Sequence, residues 1–175
     1  MRSDNRGFTL TEMIVYVGLF SVILVITVSF ILDVLGVYGK VQTKKAVVNE
    51  GESALNAMLK EIETSQSVYT PTSVFGSASG ALALKTAHNI PSDETYGFTD
   101  IYLDNGKVWL KREGQSSLSL TSDRLLATAL TFAHLDAGTN YESVKITINL
   151  ESRFGKGNLK STASFTSTAT PRGDY

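Results

Sequence analysis

Gly7-Phe8-Thr9-Leu10-Thr11-Glu12, followed without a break by MIVYVGLFSVILVITVSFIL from Met13 to Leu32, decides the reading of this chain. No charged residue occurs from Met13 to Leu32. A helix needs about 20 such residues to cross a bilayer core ~30 Å thick. Glu12 stands at the start of the run. A carboxylate at the bilayer centre costs ~2.5–3.5 kcal/mol on insertion scales, so an ionisable residue beside a span invites a functional explanation. Position alone favours a plainer one, in which Glu12 lies at the headgroup boundary and ends the span.

The residues before the span change that balance. GFTLTE resembles the processing motif of type IV pilins and pseudopilins, in which a short basic leader ends in Gly and is followed by Phe, three more residues and Glu. The resemblance implies that Gly7 is the last leader residue and that a membrane prepilin peptidase cuts between Gly7 and Phe8. It implies that Phe8 becomes the N-methylated N-terminus. Glu12 would then pair with the N-terminal amine of a neighbouring subunit during filament assembly. A carboxylate entering lipid is tolerable where a cation meets it, and loss of one partner of a desolvated pair is costly. The resemblance therefore names as partners the membrane, the peptidase, other pilin or pseudopilin subunits and assembly platform proteins.

Composition narrows the alternatives. The chain has 175 residues, enough for one span and one modest domain, and a formal net charge of −1. That charge leaves no electrostatic footprint for nucleic acid. Cysteine is absent, which excludes a disulfide framework, a thiol nucleophile and a cysteine metal site. Many Gram-negative pilins carry a C-terminal disulfide loop, so the chain looks more like pseudopilins or the pilin-like proteins of other bacteria. Arg2 and Arg6 would suit a secretory n-region, but the apolar run is longer than an h-region and no Ala-x-Ala-like site follows it.

Flanking charge does not settle orientation. Arg2 and Arg6 precede the span, whereas Lys40, Lys44 and Lys45 follow it. The positive-inside count leans slightly against a cytoplasmic N-terminus. The resemblance places the N-terminus inside, the head domain outside the cytoplasm, and the protein in the cytoplasmic (inner) membrane before assembly.

Beyond the span, Val48, Ala54, Leu55, Met58, Leu59 and Ile62 recur at helical spacing with polar residues opposite. One long helix is expected over roughly Thr9–Thr64, soft near Gly36–Gly39, where glycine costs ~1 kcal/mol relative to Ala. The alternative is two helices joined there. Domain bounds follow: 1–7 leader, 8–39 transmembrane helix, 40–66 outer half of the helix, 67–175 a β-rich head.

Strands are expected around Val68–Tyr69, at Leu82–Lys85, at Leu118–Leu120, from Thr128 to His134 with Leu130, Phe132 and Leu135 inward, from Val144 to Leu150, and from Leu159 to Thr168 with Leu159, Ala163 and Phe165 inward. Gly155–Gly157 reads as a turn. Asn105-Gly106 asks for a two-residue type I′ hairpin. Its register sets Asp104 against Lys107, Leu103 against Val108, Tyr102 against Trp109, Ile101 against Leu110 and Asp100 against Lys111. Ile101, Leu103, Val108 and Leu110 then share one apolar face. The expected class is α+β, a long N-terminal helix whose outer half packs on an antiparallel sheet. The stretches KVWLKRE, LTSDRLLATALTF and ESVKITINLES are loosely similar to the larger minor pseudopilins of type II secretion-like systems.

Little material for catalysis is present. His88 and His134 are the two histidines, and neither GxSxG nor HExxH occurs. Asp93 and Glu94, with Asp100, Asp104 or Asp123, are the nearest approach to a calcium site, but no EF-hand spacing is present. No catalytic residues, metal ligands or cofactors are assigned. Tyr96, Tyr102, Tyr141 and Tyr175 mark a possible adhesive or packing face, with a solvated sheet face as the alternative. Two functions remain: a prepilin-like structural or initiating subunit of a type IV pilus, a type II secretion pseudopilus or a competence pseudopilus, and a single-span external binding or enzymatic domain with an uncleaved anchor.

Overall fold

The computed structural model describes residues 9–87, 90, 94–136, 142–153 and 160–172. One helix, α1 (Leu10–Thr64), is followed by eight strands: β1 (Ser67–Val68), β2 (Ala81–Thr86), β3 (Gly97–Asp104), β4 (Lys107–Arg112), β5 (Leu118–Ser119), β6 (Leu125–Asp136), β7 (Glu142–Ser152) and β8 (Thr162–Ala169). The chain divides into two compact units, Met1–Val41 and Gln42–Tyr175. The architecture is α+β, as the sequence predicts.

In the first unit the helix starts at Leu10, and every large apolar side chain from Leu10 to Val41 is exposed. The helix runs uninterrupted through Gly36 and Gly39. A backbone in lipid has no water to satisfy its N–H and C=O groups, so unbroken internal pairing is the form such a segment takes. Two hydroxyl side chains inside the run follow the same rule. The Ser21 hydroxyl donates to the Val17 carbonyl at 2.7 Å, and the Thr27 hydroxyl donates to the Ile23 carbonyl at 2.8 Å.

In the second unit the helix from Gln42 onward becomes one-sided. Val47, Gly51, Ala54, Met58 and Ile62 are buried, with Leu55 and Leu59 packed beside them. Val47 rather than Val48 begins the stripe, and Gly51 belongs to it. A Cβ on Gly51 would overlap the Phe165 ring of β8 and stand 3.0 Å from Leu150 Cδ1 of β7. The glycine lets the helix approach the sheet closely.

Where a single sheet is expected, the strands form two: a five-stranded sheet in the order β1-β2-β3-β4-β5 and a three-stranded sheet in the order β6-β7-β8. All strand pairings within them are antiparallel. β5 is only two residues long, so the first sheet ends there and the chain restarts at β6. β6 stays tied to the first sheet by its backbone: Ala127 N–H donates to the Gly106 carbonyl at 2.8 Å, and Gly80 N–H donates to the Leu130 carbonyl at 2.8 Å.

The hairpin has the expected register at all five pairs. Asn105 (φ 51°) and Gly106 (φ 73°) are both left-handed, as a type I′ turn requires. Ile101, Val108 and Leu110 are buried; Leu103 is half-buried. The charge pairing differs from the simple cross-strand expectation. Lys107 forms a salt bridge with Asp123, while Asp104 Oδ2 accepts from Asn105 Nδ2 at 3.0 Å. Arg112 of β4 ties the sheet to the helix through a two-pronged contact with Glu61.

β6 is longer than expected and carries a bulge between Ala127 and Ala129. Leu125 and Ala127 point inward before it, Leu130 and Phe132 after it. An extra residue shifts the parity, because successive side chains alternate faces. Leu135 falls on the outward parity and is 45% exposed, which corrects its inward assignment. On β7, Val144, Ile146, Ile148 and Leu150 are buried in clean alternation. Ala163 and Phe165 pack on the core, whereas Leu159 and the Gly155–Gly157 turn lie outside the described residues.

Two outcomes test this packing. A chain beginning at Gln42 keeps the whole buried stripe and the strands that cover it, so it should be a soluble α+β monomer with a cooperative thermal transition. An aggregated or non-cooperative product in size-exclusion and circular dichroism measurements would show that the stripe needs a different cover. Gly51→Val should destabilise that fragment by about 1–3 kcal/mol in urea unfolding, the usual cost of forcing extra carbons into a packed interior. A neutral result would mean that Phe165 can swing aside freely.

Candidate functional site

The site suggested by the sequence is the entry to the helix. Gly7 and Phe8, the proposed cleavage pair, lie outside the described residues, as do Arg2 and Arg6. Thr9 and everything after it in the segment are described.

Thr9 caps the helix. Its Oγ1 accepts from the Glu12 backbone N–H at 3.3 Å, and its carbonyl accepts from Met13 N–H at 3.2 Å. The first N–H groups of a helix have no internal partner, and a Thr three residues before a Glu supplies one. Thr9-Leu10-Thr11-Glu12 is thus a capping signal, one that a search for N-cap residues followed three positions later by Glu would find. Thr9 and Thr11 hydroxyls also meet at 3.1 Å.

The Glu12 carboxylate is exposed and turns along the helix. Its Oε1 accepts from the Tyr16 hydroxyl at 3.3 Å, one turn on. Residues four apart share a helix face, so this pairing follows from spacing alone. Glu12 therefore has two local features: its backbone N–H completes the cap, and its negative charge lies in the first turn, where the helix dipole favours an anion. The carboxylate also remains accessible to a cation from outside the chain.

The rest of the candidate chemistry disperses. His88 and Asp93 lie outside the described residues. His134 sits half-buried on β6 with its ring 5.5 Å from that of Phe75, and its Nε2 is buried without a hydrogen-bond partner. Glu94 is exposed. Burial pushes the Asp100 carboxyl up from its ordinary value, Lys111 pulls it down and Glu113 adds to the rise. The hydrogen bond and charge of Lys107 hold the exposed Asp123 below its ordinary value, against slight desolvation and with help from Arg153. No three His, Asp or Glu side chains among the described residues are grouped as metal ligands.

The aromatic residues are partly engaged within the chain. Lys85 Nζ lies 3.9 Å from the centre of the Tyr96 ring, and Tyr96 meets Phe98 edge-on at 5.7 Å. The Tyr102 hydroxyl lies 3.3 Å from Ser117 Oγ. Tyr141 and Tyr175 lie outside the described residues.

Residues 2–28 match the family described as the prokaryotic N-terminal methylation motif. No curated protein matches the chain. Among solved structures, the chain is similar to a type IV-like pilin from Thermus thermophilus, with 10% identity and a TM-score of 0.48 over 71% of this chain and 95% of that one. The N-terminal segment of this chain matches the prokaryotic N-terminal methylation motif, and it leads into a helix long and apolar enough to cross a membrane.

Proposed function

We propose that the chain is a prepilin-like subunit, cleaved between Gly7 and Phe8, N-methylated on Phe8 and assembled through its N-terminal helix into a filament of the pilus or pseudopilus type. The observation that carries this reading is the methylation motif over residues 2–28, continuous with an apolar segment whose large side chains are all exposed. A single processed span explains both. In this reading the protein resides in the cytoplasmic membrane with residues 42–175 outside the cytoplasm. Prepilin peptidase, related subunits and assembly platform proteins are its partners. Its work is assembly and not catalysis.

The role proposed for Glu12 follows from charge. After cleavage, Phe8 carries a positive amine, and a neighbouring Glu12 offers an accessible carboxylate at the matching end of an apolar helix. The Tyr16 hydroxyl orients that carboxylate without neutralising it. Pairing the two removes both charges from the interior of a helical bundle.

Processing is tested by mass spectrometry of the N-terminus. A chain starting at methylated Phe8 is expected; an intact Met1 would favour an uncleaved anchor instead. Gly7→Val places a branched side chain at the cut and should leave the leader attached, and normal maturation of that variant on a gel would count against the motif reading.

Glu12→Leu should still be exported, cleaved and stable in the membrane, where a lone amine can reach the headgroups. In an assembled filament the amine would stay unpaired in a low dielectric, at a cost of ~3–5 kcal/mol. The expected result is a marked fall in the filament-bound fraction relative to wild type expressed at the same level. Unchanged incorporation would remove the assembly role of Glu12.

A further inference from the structure

We infer that the end of the second unit bearing Lys44, Lys45, Arg124 and Arg153 docks on the anionic phospholipid headgroups of the membrane that its own apolar segment enters. The inference rests on the membrane reading above and adds a partner to it.

Three observations carry it. The first is proximity along the chain. Lys44 and Lys45 follow Val41, the last exposed apolar residue of the first unit, by three and four positions. Even a fully extended chain gains at most ~3.6 Å per residue, so they stay within ~15 Å of that residue whatever the conformation. These are the lysines that argue against the expected topology when counted as flanking charge. A lipid contact gives them a purpose that topology does not.

The second is convergence. Gln42, Thr43 and Ala46 of the helix line a hollow of ≈ 350 Å³ together with Arg124, Leu125 and Ser152 from the adjoining ends of β6 and β7. Arg153 N–H donates to the Arg124 carbonyl at 2.8 Å, which holds the two arginines side by side. Arg124 lines this hollow, Arg153 adjoins Arg124 through that backbone bond, and Lys44 and Lys45 stand on the helix between the lining residues Thr43 and Ala46. The Arg124 guanidinium at this hollow presents a fork that matches phosphate oxygens.

The third is charge. Lys44, Lys45, Arg124 and Arg153 are all exposed, and no salt bridge to any of them is seen among the described residues. The nearby acids are occupied. Glu50 Oε2 accepts from the Ser122 hydroxyl at 2.5 Å, and Asp123 is held by Lys107 while also feeling Arg153. Asp33 belongs to the first unit. The whole chain has a net charge of −1, so this cluster stands against an acidic remainder. Juxtamembrane Lys and Arg clusters are attracted to anionic leaflets over about a Debye length, ~8 Å at physiological salt.

The chain has no cysteine, so Asn49→Cys gives a single dye site on an exposed position of the helix. The full chain is reconstituted in vesicles of phosphatidylcholine alone and in vesicles in which one lipid in three is phosphatidylglycerol. Headgroup-attached quenchers then report how closely the dye approaches the surface. Quenching should rise about threefold with the anionic lipid and fall back at about 0.5 M salt. Replacing Lys44, Lys45, Arg124 and Arg153 by Gln should abolish the rise. Replacing Lys60, Lys111, Lys145 and Arg172 by Gln, an equal loss of charge at exposed positions elsewhere, should preserve it. Equal quenching in both vesicles, or equal loss in both variants, would overturn the inference. Failure of the chain to enter either vesicle would instead sink the membrane reading on which it rests.

Discussion

The structure depends on where one helix changes the environment in which it can be stable. Up to Val41 the helix is apolar on every side, and its large apolar side chains are exposed. From Gln42 its apolar residues narrow to a single stripe that packs into the core formed with the strands. A helix apolar all round suits lipid or a bundle of like helices, and a one-sided helix suits the surface of a domain. One helical segment, Leu10–Thr64, supplies both conditions. Each large side chain buried in the stripe contributes about 1.5–3 kcal/mol, so the second unit has its own source of stability.

Much of this was legible in the sequence because it rests on short-range rules. The Asn105-Gly106 turn fixes the hairpin register, since only a left-handed pair of residues joins two strands so tightly. The 20-residue uncharged run and the motif before it are likewise local signals. Misreadings arose where a distant contact decides. Leu135 lies three residues after Phe132 and so faces away from it, while the bulge near Thr128 is what lets Leu125 and Ala127 share the inward face with Leu130 and Phe132. The periodicity of the helix alone does not distinguish Val47 from Val48; packing against the sheets does. Lys107 prefers Asp123 over the Asp104 directly across the hairpin because the segment after β5 brings Asp123 within reach.

The candidate site was read from the same local pattern, but incompletely. The sequence placed Glu12 at the mouth of the span. It left unnoticed that Thr9 and Glu12 form a cap and that Tyr16 receives the carboxylate one turn later. Both relations are three- and four-residue spacings, so the signal was present. The helix end has its own requirement for a partner, because its first N–H groups lack one within the helix.

The close approach at Gly51 has a consequence for the order in which the head closes. Gly51 lies early in the chain, and the Phe165 that covers it lies in the last strand, more than a hundred residues later. Arg172 N–H reaches back to the Glu63 carbonyl at 3.2 Å, so the C-terminal segment also ends against the helix. Contacts this distant in sequence form slowly, because loop closure precedes the gain they bring. A chain emerging N-terminus first therefore presents the part of its stripe around Gly51 uncovered until β7 and β8 have appeared. The local hairpin can form early, but the cover over Gly51 waits until β8 has been made. That interval is when such a chain has most need of a chaperone, or of a membrane surface, to keep the stripe from other partners.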